Sequence, residues 1–381
     1  MFDIRRRIKH LTEVHPRDGL FYGAMSMKIA GIFLLTWFLS CFAVSAAAKQ
    51  ELPESIKIQL SGLPAGHIQG VAADDKYIYL SYSRNIVKCD WSGKVIKKTN
   101  TPRFDNLDDP KCDLEALKKK YNIRNHHSGD CCLYDGKLYV AYCGSGFNRY
   151  LKGGMSYNYV YVFDPDLNFI RRHHVPDMEF GAGGMTCVNG KFYLVGGRPR
   201  GIPGNTVYEY DSDFKLLKKH HLDINSLLGI QTISFDGRYF WIGCYGAGNF
   251  SFRFDQKFQL DSVYDFTVAT GMLHSSDGKE IMTFRDKTKH GKVDYTLAKR
   301  INTASHKGKI HRIDIAKDGK ISFRGKTVSP EEVYSVLYRE NPGRNMLFIY
   351  FVSGVPAQPV ASAVLTAQQL GINFQLIQRK L

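Results

Sequence analysis

Residues 135–141 (DGKLYVA) and 159–164 (YVYVFD) are the two halves of a unit that the chain repeats five times between about residue 67 and residue 323. The first half recurs as DDKYIYL (74–80), NGKFYLV (189–195), DGRYFWI (236–242) and DGKEIMT (277–283). The second half recurs as NIVKCD (85–90), TVYEYD (206–211), FSFRFD (250–255) and KIHRID (309–314). An Asp-Gly or Asn-Gly pair supplies the positive-φ positions of a short hairpin, and the aromatic and β-branched run after it suits a strand. Each unit therefore predicts a small antiparallel sheet.

A small sheet of this kind can bury its faces only against neighbouring copies, so the repeats predict a mainly β fold, a five-bladed β-propeller over residues 50–318. The pattern resembles propellers of the YVTN, NHL and WD40-like superfamily type. Residues 54–60 (ESIKIQL) alternate Ile56, Ile58 and Leu60. This alternation predicts a half-buried strand that pairs with the last blade and closes the ring.

Each second half ends on an aspartate, at Asp90, Asp164, Asp211, Asp255 and Asp314. Five acids at one repeat position resemble a catalytic set. An aspartate that opens a turn by accepting hydrogen bonds from its own backbone explains them more simply. We therefore interpret these aspartates as part of the scaffold.

The candidate functional face is the end of the propeller opposite the short hairpins, where the connecting loops vary most in length. Residues that lead into the innermost strands converge there, and the catalytic candidates among them are His127, His67 and Asp130. Either histidine would act as a general base, with Asp130 orienting the imidazole or holding a metal. The ligand-binding candidates on the same face are Gln69, Gln231, Arg149, Arg198, Arg200 and Tyr245. No Cys/His spacing predicts a zinc site, so the sequence predicts neither a dedicated metal site nor a cofactor.

The formal net charge is +16 at pH 7. A positive field raises the local concentration of acidic partners, so the expected ligand is an acidic polysaccharide or another anionic molecule of the cell envelope. The basic clusters 171–174 (RRHH) and 218–221 (KKHH) fall on outermost strands, where charge keeps a sheet edge soluble. Nucleic acid is not an expected partner, because aromatic residues do not interleave with this charge and the chain carries an export signal.

That signal is the uncharged run 29–48 (IAGIFLLTWFLSCFAVSAAA), which follows the basic segment 1–28. It is either a signal peptide cleaved after Ala46-Ala47-Ala48 or a membrane anchor of about 20 apolar residues. Both alternatives predict that the propeller lies outside the cytoplasm, as a periplasmic, secreted or membrane-anchored domain. Seven cysteines follow residue 48, and their spacing indicates buried small side chains rather than a disulfide framework.

The repeat stops near residue 320, and residues 319–381 predict a small module in the order strand, helix, strand, helix, strand. Ser329-Pro330-Glu331-Glu332 is a helix start, and Gly371 ends the second helix. The segment resembles the periplasmic domain of the ExbD/TolR biopolymer-transport family in four motifs, 325–328 (GKTV), 331–333 (EEV), 347–349 (LFI) and 367–372 (AQQLGI). The resemblance implies a docking or dimerising module for a protein partner. It does not extend to proton coupling, because residues 29–48 lack the aspartate that the membrane helix of the family carries. A generic α/β cap is the alternative.

Two classes of function remain after these observations. One is a ligand-binding or scaffold protein of the cell envelope, and the other is a propeller hydrolase or lyase with a His/Asp/Gln site at the mouth of the channel. The segment His67-Ile-Gln69-Gly70 resembles the corresponding motif of five-bladed glutaminyl cyclases. The acidic, glycine-rich motif of those enzymes is absent from the sequence, which argues against that activity.

Overall fold

The computed structural model describes residues 51–63, 66–100, 123–146, 157–198, 204–226, 228–244, 250–340 and 345–379. It describes the backbone alone for residues 61–63, 123–127, 144–146 and 157. The basic segment 1–28 and the predicted signal peptide or anchor at 29–48 lie outside the described residues. None of the helices in the described ranges is long and apolar enough to cross a membrane.

The described chain is mainly β and forms a propeller-like ring of sheets, as predicted. It begins with strand β1 (Ser55–Leu63), which is followed by three antiparallel four-stranded sheets. The first blade contains β2 (Ile68–Ala73), β3 (Tyr77–Tyr82), β4 (Asn85–Asp90) and β5 (Val95–Asn100). The second blade contains β6 (Ile123–Tyr134), β7 (Lys137–Gly146), β8 (Tyr157–Phe163) and β9 (Phe169–His174). The third blade contains β10 (Ala182–Val188), β11 (Lys191–Gly196), β12 (Asn205–Tyr210) and β13 (Leu216–Leu222).

Two further sheets follow. The mixed sheet opens with the meander β14 (Ile230–Phe235), β15 (Phe240–Cys244), β16 (Ser251–Phe254) and β17 (Leu260–Tyr264). The closing blade contains β18 (Met272–His274), β19 (Glu280–Lys289), β20 (Lys292–Asn302) and the N-terminal strand β1. After a 3₁₀ turn at Thr303–His306, the mixed sheet resumes with β21 (Lys307–Ile315), β22 (Ile321–Phe323), β23 (Lys326–Val328), β24 (Asn345–Val352) and β25 (Asn373–Arg379). The helices α1 (Pro330–Arg339) and α2 (Ala357–Gln369) flank β24.

Within the described residues the number of separate blades is four, against the five that the repeats predict. The strands β14–β17 have the order of a blade, but β17 pairs with β21 through Val263↔Gly308 and Tyr264↔Lys307. This pairing joins the fourth repeat to the C-terminal strands in one nine-stranded sheet. The outer edge of that repeat is therefore covered by the chain itself.

The predicted ring closure is confirmed, because β1 pairs antiparallel with β20 from Ser55↔Lys299 to Leu63↔Val293. Ile56, Ile58 and Leu60 are buried together with Met282 and Phe284 of the closing blade. The alternation of these residues places every second side chain of β1 in this core. The N-terminal strand thus supplies the outermost strand of a sheet whose other three strands come from residues 272–302.

We expect the substitution Ile58→Ala to lower the free energy of unfolding by about 2–5 kcal/mol, because it leaves a cavity at a fully buried site. Ser55→Ala on the same strand is the matched control, since Ser55 is exposed and its loss should change the value by less than about 0.5 kcal/mol. Urea unfolding measures both. Equal effects of the two substitutions would show that β1 does not contribute to the closed ring.

Four of the five strand-end aspartates have the predicted turn geometry. The same Oδ1 atom accepts from two backbone amides in each: Asp90 from Ser92 and Lys94, Asp164 from Asp166 and Asn168, Asp211 from Asp213 and Lys215, and Asp255 from Lys257 and Gln259. The prediction is wrong for Asp314, which lies on β21 and accepts from Arg312 Nε at 2.7 Å. The third strand of the last repeat is accordingly Lys292–Asn302, and residues 309–314 belong to the C-terminal strands.

The C-terminal strands form a layer between two groups of apolar side chains. Ile313, Leu347 and Ile349 face α1 and α2, whereas Met346 and Phe348 pack against the strands of the fourth repeat. The predicted start of α1 is confirmed by a capping box between Ser329 and Glu332. Gly371 has a φ of +64° just after α2, as the predicted helix end requires.

Candidate functional site

A β-bulge interrupts the innermost strand of four consecutive repeats at the same position. One extra residue is accommodated between Ile68 and Gly70, between Ser128 and Cys131, between Ala182 and Gly184, and between Ile230 and Thr232. The extra residues include Gln69, Asp130 and Gln231, three of the candidates that the sequence singled out. Bulges redirect side chains and are frequent next to active sites. Here they turn these polar side chains away from the regular pattern of the strands.

The innermost strands contact one another around the axis: β2 with β6, β6 with β10, β10 with β14, and β18 with β2. Gln231 Nε2 donates to Gln69 Oε1 across this axis, and both side chains are buried. Gln69 Nε2 also lies 3.3 Å from Ser83 Oγ and 2.9 Å from His67 Nε2. The structure therefore brings together His67, Gln69 and Gln231, and their predicted location at a channel mouth stays a prediction.

His67 is the exposed member of this group. Although its side chain reaches the surface, surrounding protein atoms displace water from the ring and lower its pKa, and the nearby Asp286 carboxylate opposes that shift. A lowered pKa keeps the imidazole neutral at pH 7, and a neutral imidazole can both donate a hydrogen bond to a ligand and accept one from it. His67 is thus the accessible end of a buried polar network.

Asp286 is a functional candidate that the sequence reasoning missed. Its Oδ2 accepts from the Ile68 amide at 2.7 Å, and its Oδ1 accepts from Thr296 Oγ1 at 2.5 Å. The Thr296 hydroxyl in turn lies 2.6 Å from the Tyr82 hydroxyl. Burial raises the pKa of Asp286, and the hydrogen bonds from Thr296 and Ile68 and the charge of His67 act against that rise. We name the group His67, Gln69, Ser83, Gln231 and Asp286 the axial site.

Asp130 lies deeper, with 3% of its surface exposed. Its Oδ1 accepts from the Val71 amide at 3.0 Å and from the Cys131 amide at 2.8 Å. Burial raises its pKa well above the usual range, and bonds from the Cys131, Val71 and Ile233 amides oppose that shift. These partners are backbone groups of β2, β6 and β14, so the carboxylate joins three inner strands. Its predicted role beside a histidine stays a prediction.

Of the remaining candidates, the structure describes the side chain of Arg198. Arg198 is half-buried, and its Nη1 donates to the Gly204 carbonyl at 2.5 Å while its guanidinium lies 5.4 Å from the Phe180 ring centre. Desolvation lowers the pKa of Arg198, and Glu179 opposes this shift. Arg149, Arg200 and Tyr245 lie outside the described residues, as does the side chain of His127.

Two other features of the described residues bear on chemistry. They contain no group of three or more His, Cys, Asp or Glu side chains placed to hold a metal ion. A cavity of about 380 Å³ lies on the C-terminal strands, lined by residues that include Asp314, Tyr350 and Arg379. Arg379 Nη1 lies 3.4 Å from Asp314 Oδ1, so these charges offset each other, and the cavity shares no residue with the axial site.

No protein-family model matches the chain, and no curated protein sequence matches it. The resemblance of residues 319–381 to ExbD/TolR periplasmic domains is therefore unsupported.

Solved structures that match include three with low sequence identity. A GH43_1 enzyme from Xanthomonas citri complexed with xylotriose is 12% identical with a TM-score of 0.46, over 73% of this chain and 97% of that one. Zg3597, a family 117 glycoside hydrolase from Zobellia galactanivorans, is 12% identical with a TM-score of 0.43, over 65% of this chain and 89% of that one. A protein of unknown function from Bacteroides caccae is 11% identical with a TM-score of 0.38, over 65% of this chain and 90% of that one. At these values the matches carry no inference about chemistry in this chain.

Proposed function

We propose that this protein is a ligand-binding propeller that takes a carbohydrate at the axial site. The observation that carries the proposal is the composition of that site: an exposed imidazole, two amides and a hydroxyl connected by hydrogen bonds, with the Asp286 carboxylate held beside them by the Ile68 amide. Such groups donate to and accept from hydroxyls, and their own mutual bonds hold them in position. A polyhydroxylated ligand is the chemistry that they fit best.

The finer parts of the proposal are the acidic character of the ligand and the location of the protein. The net charge of +16 supports an anionic glycan, because a positive field concentrates such ligands at the surface. The apolar run 29–48 after a basic segment supports export to the cell envelope. Docking of a protein partner through residues 319–381 is supported only by the exposed Tyr338 and Leu365 on α1 and α2.

The test is an array of neutral and acidic oligosaccharides incubated with the full-length protein, followed by calorimetry on any glycan that binds. We expect His67→Ala and Asp286→Asn each to weaken binding about tenfold, since each removes or alters one organised hydrogen-bonding group. His221→Ala is the matched control, because His221 is an exposed histidine on the outermost strand of the third blade. Absence of binding to every glycan, or an equal loss in the control, contradicts the proposal.

A propeller enzyme is the second candidate, and one observation favours it. His67 has a lowered pKa and Asp286 a raised one, which is the perturbation found in acid–base pairs. If the site is catalytic, Asp286→Asn should retain glycan binding and lose turnover of the bound glycan. Binding without any product from the unsubstituted protein would reject this candidate.

A further inference from the structure

The closing blade carries a long hairpin. Strands β19 and β20 meet at His290 and Gly291, whose φ values of +50° and +73° form the turn. The innermost strand β18 pairs only with residues 281–283 of β19. The upper part of the hairpin therefore extends past β18, beside the axial site, and Asp286 projects from it toward Ile68.

The two faces of this sheet differ sharply in character. On one face Met282, Phe284, Ala298 and Ile58 are fully buried. Cross-strand pairing places the alternate residues together on the other face, where Arg285 is opposite Leu297 and Leu297 is opposite Lys57. We name this surface the cationic face; it consists of Lys57, Arg285, Lys287, Tyr295 and Lys299, with Lys289 and Lys292 at the tip. All six of its basic residues are exposed.

These charges are not neutralised by the described part of the protein. Within the described ranges, no carboxylate lies within ion-pair distance of any basic residue of the cationic face. The two acids on the hairpin strands beside these cations have other partners: Asp294 accepts from Gln59 Nε2 at 3.3 Å, and Asp286 accepts from Ile68 and Thr296 on the opposite face. Lys57 Nζ lies 4.4 Å from the centre of the Tyr295 ring, a contact that holds the ammonium in place without cancelling its charge.

Three basic residues of the outer strands make hydrogen bonds or an ion pair. Lys98 Nζ donates to the Leu60 carbonyl at 2.5 Å, Lys219 Nζ lies 3.8 Å from Glu179 Oε1, and Arg171 Nε lies 3.1 Å from His173 Nε2. Unpaired cations close together repel one another, so an arrangement of several on one sheet face favours a ligand that supplies negative charge. The cationic face, with its six exposed basic residues, has this property.

We propose that the cationic face binds an extended acidic polysaccharide, on the side of the hairpin opposite the one from which Asp286 reaches Ile68. The inference rests on the proposed function, and it assigns the anionic part of the ligand to Lys57, Arg285, Lys287 and Lys299, with the tip lysines extending the contact. Same-face residues two apart on a strand are separated by about 7 Å, and neighbouring strands by about 4.8 Å, so the cations form a flat array that a linear chain can follow.

The chemistry of the face favours a polysaccharide over two other polyanions. Single-stranded nucleic acid needs several aromatic platforms for its bases, and the face has only Tyr295, whose ring Lys57 already covers. A membrane surface needs apolar anchors, and the large exposed apolar residues of the described chain, such as Ile96, Ile170 and Leu217, lie outside this face.

The experiment compares polygalacturonate binding by the full-length protein and two triple variants. We expect K287Q/K289Q/K292Q to weaken binding at least tenfold and to flatten its dependence on salt, because counterion release scales with the number of paired charges. The control K76Q/K257Q/K317Q removes the same charge from exposed lysines elsewhere and should change affinity less than twofold. Both variants should bind uncharged xylan with the same affinity as the unsubstituted protein.

The outcomes separate the two proposals. Equal losses in both triple variants would assign the effect to net charge and overturn the cationic face as a site. Tighter binding to single-stranded DNA or to anionic vesicles than to polygalacturonate would overturn the ligand class. Binding of xylan alone would reject this inference and leave the carbohydrate function standing, whereas binding of neither polysaccharide nor any arrayed glycan would reject the proposed function itself.

Discussion

Gly129→Ala is expected to lower the free energy of unfolding by about 3 kcal/mol or more, although it adds a single methyl group. A Cβ atom on Gly129 would lie 2.2 Å from the Gly183 carbonyl oxygen and 2.7 Å from its carbon. Both are backbone atoms of β10, so the second and third blades would have to separate. A Cβ atom on Gly183 would likewise lie 2.8 Å from the Ile230 carbonyl oxygen. The inner strands thus depend on glycines where their backbones meet.

The matched control is Gly136→Ala, in the hairpin between β6 and β7. Gly136 has a φ of +65° and its Cβ position has no neighbour within 4 Å, so substitution costs only the strain of a left-handed residue, about 1–2 kcal/mol. Urea unfolding followed by tryptophan fluorescence measures both variants. Similar losses in the two would mean that the inner strands can move apart freely and that the axis is not closely packed.

Local features of the fold could be predicted from the sequence, because local residues determine them. The turn at Asp135-Gly136, the closing strand around Ile58 and the capping box at Ser329 each follow from a short pattern, and the structure has all three. The last repeat was assigned wrongly because its assignment also relied on a local pattern alone. Residues 309–314 end in aspartate as the other repeats do, but long-range pairing places them beside β24, and β20 takes the position in the closing blade.

The candidate site could be predicted only in part. Gln69, Asp130 and Gln231 were selected because they recur before the inner strands, and the structure places them at equivalent bulges. The bulges themselves depend on register between strands, which a repeat pattern does not specify. Asp286 was missed because no repeat pattern places it beside the inner strands. Its role depends on a hydrogen bond to Ile68, 218 residues away in sequence.

Asp130→Ala is expected to lower the free energy of unfolding by about 3 kcal/mol or more, because the carboxylate is the acceptor for amides of three inner strands. Each buried amide left without a partner costs about 1–3 kcal/mol. A purely catalytic aspartate would give a different result, with activity lost and stability unchanged or improved. Stability therefore has to be measured before any loss of binding in an Asp130 variant is attributed to chemistry.

The pH dependence of stability tests the same residue without creating a cavity. Burial raises the pKa of Asp130 well above its usual value, so the folded state holds this proton more tightly than the unfolded chain. The resulting stabilisation is fully present below the unfolded pKa of about 3.9 and is lost as the pH rises toward the folded pKa. Asp130→Asn keeps the shape of the side chain and cannot ionise, so it should not show this loss.

We therefore expect the stability of Asp130→Asn, relative to the unsubstituted protein, to increase between pH 4 and pH 8. A constant offset from the amide does not affect this trend, since only the change with pH reports the ionisation of the carboxyl group. Asp75→Asn, at an exposed position, serves as the control for the loss of a surface carboxylate. The opposite trend, with the unsubstituted protein gaining stability over Asp130→Asn as the pH rises, would mean that the three amides outweigh burial. Asp130 would then be a buried anion that the inner strands hold in its charged form.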